Sequence, residues 1–240
     1  MTFVFLHIAK DTIKNDPISQ TFVKSINTFY ADAEIIQISD NKTPKLDMVT
    51  RVFRFDGDVN KIMEFRIKAN RELGLQKSAI YLDSDMIITN KFNITKMLNF
   101  SKTILLKRSF DLDLKFNVNI KNQNFNEYNS YTVNEVFPII ACFIKSNSWK
   151  FWQEMSDHLN TLEKKFLYWY GDQEILKKLY FKNSTKYHLI HENNFACPPN
   201  YIKKKNFPYI VHFKGIKNKE IFKNQITLIN DYLEVVAKKK

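Results

Sequence analysis

The stretch SAIYLDSDMIITN, residues Ser78–Asn90, decides the fold. Its small and apolar residues predict a short buried strand that runs directly into Asp83-Ser84-Asp85. Side chains alternate between the two faces of a strand, so Asp83 and Asp85 can point the same way and leave Ser84 on the other face. Two carboxylates at the end of a buried strand need a compensating cation, and hard oxygen donors suit Mn²⁺ or Mg²⁺ carrying a diphosphate. A polar turn at the strand exit is the alternative interpretation.

The rest of the chain alternates between strand and helix patterns. This alternation predicts an α/β fold with a mostly parallel sheet, flanking helices and a C-terminal helix, and nucleotide-sized ligands at the carboxyl edge of the sheet. The predicted strands are Thr2–Ala9, Glu34–Ile38, Met48–Phe55, Ala79–Leu82, Thr103–Leu106, Phe137–Ile144, His188–Ile190 and Tyr209–Phe213. The first predicted helix begins at Pro17. The other predicted helices cover Lys61–Leu73, Trp149–Leu167, Asp172–Phe181 and Glu220–Val236.

The polar, Asn-rich segment Asp111–Asn134 interrupts this alternation. We interpret it as a long excursion or a hairpin insertion. The sequence contains no internal repeat and no linker, so a single domain over residues 1–240 is predicted.

Composition sets the broad class. A hydrophobic content of 44% predicts a folded globular protein. The N-terminus has no signal-peptide pattern, no apolar run approaches a membrane span, and two cysteines form no disulfide or zinc pattern, so a reduced cytoplasmic setting is expected. The net charge of +12 attracts phosphates, anionic lipid surfaces and nucleic acid.

The stretch Ile210–Lys217 is the second place where polar chemistry concentrates. A predicted strand delivers His212, which can ligate a metal. Lys214, Gly215 and Lys217 follow it and can form a cationic, backbone-accessible cradle for phosphates. A histidine with a purely structural role is the alternative.

Three motifs together resemble glycosyltransferase family eight and its relatives of the GT-A fold. Leu82–Met86 lies a third of the way along the chain, Asp172-Gln173 about two thirds along, and His212–Gly215 near the end. Their order, spacing and strand contexts agree with that family over most of the chain. Asp172 alone could be explained as a helix N-cap.

The resemblance implies a metal site and a donor site. Asp83 and Asp85 would hold Mn²⁺, or Mg²⁺, on the diphosphate of a sugar nucleotide, and His212 would be the third protein ligand. Arg66 is placed like a basic helix residue that reaches toward the donor; a solvated helix charge is the alternative. Ile8, Ala9, Lys10 and Asp11, after the first strand, would hold the nucleobase; an ordinary strand exit is the alternative. The other implied donor-binding positions are Ser84, Lys214, Gly215 and Lys217.

The same resemblance implies the reaction. A hexose would pass from a nucleoside-diphosphate sugar, UDP-sugar favoured, to a glycan or lipid-linked saccharide, with Asp172 and Gln173 near the reacting sugar and the acceptor. The resemblance implies retention of configuration; a carboxylate of Asp172 that acted as general base would give inversion instead. Residues 1–110 would form the nucleotide-sugar-binding half, 111–217 the acceptor-binding half, and 218–240 a C-terminal helix and basic tail. The basic surface could also make a peripheral contact with the inner face of the membrane.

Two departures from the family pattern concern the choice of sugar and acceptor. The family's Asn- and Gly-bearing turn is replaced by Pro138–Cys142, and the Lys-Pro-Trp that often follows the His-Gly motif is missing.

Two other classes compete with this interpretation. A haloacid-dehalogenase-type phosphatase also uses Asp-x-Asp after a strand, but its later second metal carboxylate is replaced here by Leu176. A basic nucleic-acid or membrane-surface binder would use the lysines and aromatics, yet the lysines are dispersed and the aromatics follow core periodicity. No nucleic-acid partner is therefore expected.

Overall fold

A computed structural model describes residues 1–9, 16–93, 102–108, 112–120, 123–131, 138–144, 147–202 and 207–239. The chain divides into two compact units, each described by itself. The first comprises Met1–Asp56, Ala79–Asn99 and Glu192–Lys240, and the second comprises Gly57–Ser78 and Phe100–His191.

The predicted α/β class, with a mostly parallel sheet and a C-terminal helix, is confirmed. The strands are β1 Thr2–Leu6, β2 Glu34–Ser39, β3 Arg51–Arg54, β4 Ala79–Asp83, β5 Met86–Ile88, β6 Thr103–Lys107, β7 Leu112–Ile120, β8 Gln123–Tyr131, β9 Pro138–Ile144, β10 Tyr187–His191 and β11 Ile210–His212. The α-helices are α1 Pro17–Phe29, α2 Ile62–Glu72, α3 Ser148–Asp157, α4 Gly171–Lys182, α5 Glu192–Phe195 and α6 Ile216–Lys238.

The first unit is built on four parallel strands in the order β4, β1, β2, β3. Phe3 and Phe5 in β1, Ile36 in β2 and Ile80 in β4 are almost completely buried. Near-continuous burial of this kind is typical of parallel strands that are covered on both faces. The carboxyl ends of β1, β2 and β4 therefore lie side by side, which is where such sheets bind ligands.

Helix α1 covers the sheet of the first unit and has a well-defined start. The Asp16 carboxylate accepts a hydrogen bond from the Ile18 amide as the N-cap, and Pro17 occupies the first turn. The same carboxylate lies 3.3 Å from Nε2 of the buried His7, directly after β1. Helix α6 packs against α1, and a Lys24–Glu234 ion pair of 2.9 Å joins the two helices.

The second unit contains a smaller set of strands. Strand β6 pairs parallel with β10 and antiparallel with β9. Strands β7 and β8 form an antiparallel hairpin in which Leu112 lies opposite Tyr131. The hairpin interpretation of the Asn-rich segment is therefore confirmed for the residues that are described.

One expectation about elements was wrong, and one strand was missed. The helix predicted over Trp149–Leu167 ends at Asp157 and continues as two short 3₁₀ turns. Strand β5 was not predicted, although it lies directly after the acidic motif. The division at residues 110 and 217 stays a prediction.

Gly171, the first residue of α4, is required by close packing. A Cβ at this position would lie 2.1 Å from the carbonyl oxygen of Phe166. Only glycine allows the backbone of residue 166 to approach the start of α4 this closely.

None of the helices in the described part of the chain combines the length and apolar character that a bilayer crossing requires.

Candidate functional site

The acidic motif lies at the carboxyl end of the first unit's parallel sheet. Asp83 is the last residue of β4, and Asp85 follows it in a two-residue turn that leads into β5. Because β4 pairs with β1, Asp83 lies opposite Leu6, the last residue of that strand. Both carboxylates are only partly exposed, so removing them from water requires a compensating positive charge.

Strand pairing brings His212 to these carboxylates. Strand β11 runs antiparallel to β5, with His212 opposite Met86, and the Phe213 amide donates a 3.0 Å hydrogen bond to the Asp85 carbonyl. In this register Nε2 of His212 lies 3.2 Å from Oδ1 of Asp85 and 3.8 Å from Oδ2 of Asp83. Residues more than a hundred positions apart in the sequence thus share one small site.

The three side chains fit a divalent metal ion. One donor atom from each of Asp83, Asp85 and His212 lies within 4.8 Å of the other two. Two carboxylate oxygens and an imidazole nitrogen suit Mn²⁺ and Mg²⁺ better than a thiolate-seeking metal. Among the residues that the structure describes, no other group of three or more His, Cys, Asp or Glu side chains is so arranged. Asp83, Asp85 and His212 therefore lie close enough together to share one ion.

Lys219, which sequence reasoning missed, adds a positive charge to the site. It lies on the first turn of α6, and its Nζ is 3.0 Å from Oδ2 of Asp85. Burial raises the pKa of Asp85, but the nearby charges and hydrogen bonds of His212 and Lys219 outweigh it and hold that pKa below its usual range. The carboxylate of Asp85 is therefore ionised and available as a ligand at neutral pH.

The segment between β11 and α6 carries the predicted phosphate cradle. Gly215 adopts φ +83°, and open space surrounds the position where a Cβ would be. Lys217 is exposed on the first turn of α6, and Lys214 is half-buried. A helix N-terminus with nearby lysines attracts anions, and this one lies beside the acidic motif because Lys219 contacts Asp85.

The loop after β1, predicted to hold the nucleobase, is described in part. Ile8 and Ala9 are half-buried, and the Ala9 amide donates a 2.8 Å hydrogen bond to the hydroxyl of Thr43 in the loop after β2. Arg54 donates to the Thr43 carbonyl and fixes that second loop. The other two predicted positions, Lys10 and Asp11, lie outside the described residues.

The remaining predicted residues belong to the second unit. Arg66 on α2 donates a 2.7 Å hydrogen bond to Oδ2 of Asp172 on α4. The side chain of Asp172 is only 1% exposed. Oδ1 of Asp172 accepts from the Gln173 amide, and the Gln173 side chain accepts from the buried Arg108 at 3.3 Å. Sequence reasoning named Arg66 apart from the Asp172-Gln173 motif and predicted neither this ion pair nor the contact of Arg108.

Comparison with solved structures identifies the fold. The glycosyltransferase GlyE of Streptococcus pneumoniae TIGR4 is matched over 99% of this chain at 16% identity, with a TM-score of 0.56. A galactosyltransferase, LgtC, solved with donor and acceptor sugar analogs, is matched over 98% of this chain and 96% of its own at 10% identity, with a TM-score of 0.57. A glycosyltransferase involved in glycosylation of the major capsid of PBCV-1 is matched over 95% and 98% at 12% identity, with a TM-score of 0.57.

These likenesses establish a glycosyltransferase-type α/β fold for the chain. The chain spans 62% of the length of GlyE. No protein-family profile matches the sequence, and no curated protein matches it. At these low identities the comparison concerns the fold alone, and an activity has to be argued from the site.

Proposed function

We propose that the chain is a metal-dependent glycosyltransferase of the family-eight type. It would move a hexose from a nucleoside-diphosphate sugar, with UDP-sugar favoured, to a glycan or lipid-linked saccharide. The convergence of Asp83, Asp85 and His212 at the carboxyl end of a parallel sheet is the observation that carries this proposal. The fold shared with solved glycosyltransferases supports it.

The proposed metal site consists of those three side chains, with Mn²⁺ or Mg²⁺ as the ion. A bound divalent ion would supply positive charge that stabilises the charge developing on the departing diphosphate. Lys219 supports the same electrostatic role, because its ammonium group already lies 3.0 Å from Asp85. We place the phosphates of the donor against Lys214, Gly215 and Lys217, where α6 begins.

The residues after β1 and β4 are proposed to complete the donor site. The nucleobase is assigned to Ile8, Ala9, Lys10 and Asp11, and the hydrogen bond that holds Ala9 to Thr43 supports this assignment for the described part of the loop. Ser84 lies between the two acidic ligands. Arg66 is assigned to the donor on the resemblance to family eight.

We assign Asp172 and Gln173 to the transferred sugar and the acceptor, and we favour retention of configuration. A general base must be able to take a proton from the acceptor hydroxyl. Both oxygens of Asp172 are already hydrogen bonded, one to Arg66 and one to the Gln173 amide. This engagement supports a positioning role, with the departing phosphate taking the acceptor proton on the same face of the sugar.

The test is nucleoside diphosphate release from a panel of nucleotide sugars. We expect release with Mn²⁺ from one donor, no release with a chelator, and none from an Asp83→Ala Asp85→Ala variant. Asp32→Ala is the matched control, because Asp32 is an exposed carboxylate far along the chain from the motif. Release that persists in the chelator or in the double variant would contradict the metal assignment. Phosphate release from simple phosphomonoesters would favour the phosphatase alternative instead.

A further inference from the structure

Arg108 is a buried arginine to which the proposed reaction gives no role. It directly follows β6 and is 4% exposed. Its Nη2 donates a 3.3 Å hydrogen bond to Oε1 of Gln173 on α4. A guanidinium carries donors only, so the end of the amide that faces it has to be the carbonyl oxygen. The contact therefore fixes which way the Gln173 amide is turned.

The amide nitrogen of Gln173 is the end of that side chain without a protein partner. Gln173 is 8% exposed, and within the described part of the chain its Nε2 makes no hydrogen bond. A polar atom in a side chain that is more than nine-tenths buried costs free energy unless something accepts its hydrogens. An oxygen atom of a bound ligand would remove this cost.

The backbone that carries this amide is held on several sides. The Gln173 amide N–H donates to Oδ1 of Asp172 at 2.7 Å, and Arg66 donates to the other oxygen of the same carboxylate. Just before them, Tyr170 adopts φ +69°, a conformation that residues with a side chain seldom take, and Gly171 packs against the Phe166 carbonyl. The side-chain nitrogen is thus a donor whose position is set before any ligand arrives.

We propose that Arg108 is a positioning residue, and that it turns Gln173 so that Nε2 donates a hydrogen bond to a hydroxyl of the transferred sugar. This inference rests on the proposed function. The transferred sugar is the fitting partner because its nucleotide already holds it, and a hydrogen bond between two held groups loses little entropy. The Gln173 oxygen faces a cation, so it is a poor nucleophile, and no covalent bond from Gln173 to the sugar is expected.

Thermal unfolding tests the contact without any activity measurement. Gln173→Glu should unfold at about the same temperature as the unchanged chain, because a guanidinium pairs with a carboxylate as well as with an amide oxygen. In an Arg108→Met background the same change should lower Tm by roughly 5–10 °C more, because a buried carboxylate loses its cation. An equal effect of Gln173→Glu in both backgrounds would overturn the proposed role of Arg108.

Nucleoside diphosphate release from the panel of nucleotide sugars, with Mn²⁺ and with water as the acceptor, tests the role in the reaction. Gln173→Glu keeps the contact with Arg108 but cannot donate, so kcat/KM should fall at least about tenfold. Arg108→Met should cause a similar loss because the amide can turn. Arg108→Lys should restore part of it, because an ammonium group is also a donor only. Arg51→Met and Gln225→Glu are matched controls at exposed positions.

The outcomes separate this inference from the proposed function. If the unchanged chain releases nucleoside diphosphate and Gln173→Glu releases it equally fast, the inference fails alone, because an oxygen of residue 173 would then suffice. Equal losses in the two controls would also overturn it. If the unchanged chain releases nothing from any nucleotide sugar, the proposed function fails and this inference fails with it.

Discussion

Replacing Asp85 with asparagine separates its role as a ligand from any role in stability. The substitution keeps the shape of the side chain and removes its charge. In the absence of metal we expect the free energy of unfolding to fall by on the order of 1 kcal/mol or less, because Lys219 is 48% exposed and water can solvate its charge once the carboxylate is gone. The loss of one of two adjacent carboxylates also relieves repulsion between Asp85 and Asp83.

The effect on metal binding should be much larger. An ion present at about 100 times its dissociation constant stabilises the fold by about 2.7 kcal/mol, which raises Tm by roughly 5–10 °C for a chain of this size. Removing one charged ligand should weaken binding at least about 100-fold, so the same ion concentration would then give about 0.4 kcal/mol and a shift of about 1 °C.

Thermal unfolding with and without MnCl₂ measures both effects in one experiment. The unchanged chain and Asp32→Asn, an exposed control, should show the full metal-dependent shift, and Asp85→Asn should show almost none. A full shift in Asp85→Asn would refute the assignment of this carboxylate as a ligand. Loss of the metal-dependent shift in Asp32→Asn as well would also refute the assignment, because the ion would then be responding to the net charge of the protein and not to a particular ligand.

Three further predictions concern packing and charge. Gly171→Ala should destabilise the fold by about 3 kcal/mol or more, because its Cβ would collide with the Phe166 carbonyl; an unchanged urea midpoint would contradict that packing. Arg66→Met should cost about 3–5 kcal/mol because it removes the guanidinium beside a buried carboxylate, and adding Asp172→Leu should recover part of this loss in the same assay. Burial raises the pKa of Asp16, but the hydrogen bond from His7 helps lower it to about 2. The contribution of Asp16 to the free energy of unfolding is therefore present above about pH 4 and is lost as the pH falls toward 2. Because the side chain is 37% exposed, we expect this contribution to be about 1 kcal/mol, and Asp16→Asn should flatten the acid limb of the curve of stability against pH.

The sequence predicted the parts of the site that are encoded locally. The apolar run before Asp83 is a buried strand with an acidic end, and the strand around His212 is a short apolar run with a polar exit. Such patterns depend on neighbouring residues, so they can be recognised without the fold. The resemblance to a known family then supplied the expectation that these distant segments meet.

The parts that could not be predicted depend on tertiary contacts. Strand β5 has only three residues and begins directly after the acidic turn. Nothing in so short a segment indicates a separate strand or its pairing with β11. Lys219 is one of many lysines, and only the direction in which α6 starts brings it to Asp85. Arg66 and Asp172 are 106 residues apart, and no pattern in either helix names the other as its partner.

The antiparallel ribbon of β5 and β11 has a thermodynamic consequence. His212 ends β11, and α6 begins at Ile216, so the helix and the imidazole are joined by only a short connection. An ion held by His212 would tighten this connection, and by reciprocity a firmly seated helix would favour ion capture. Amide hydrogens of the terminal helix should therefore exchange more slowly with deuterium when the ion is present, and shortening the chain from its C-terminus should lower ion affinity although no ligand is removed.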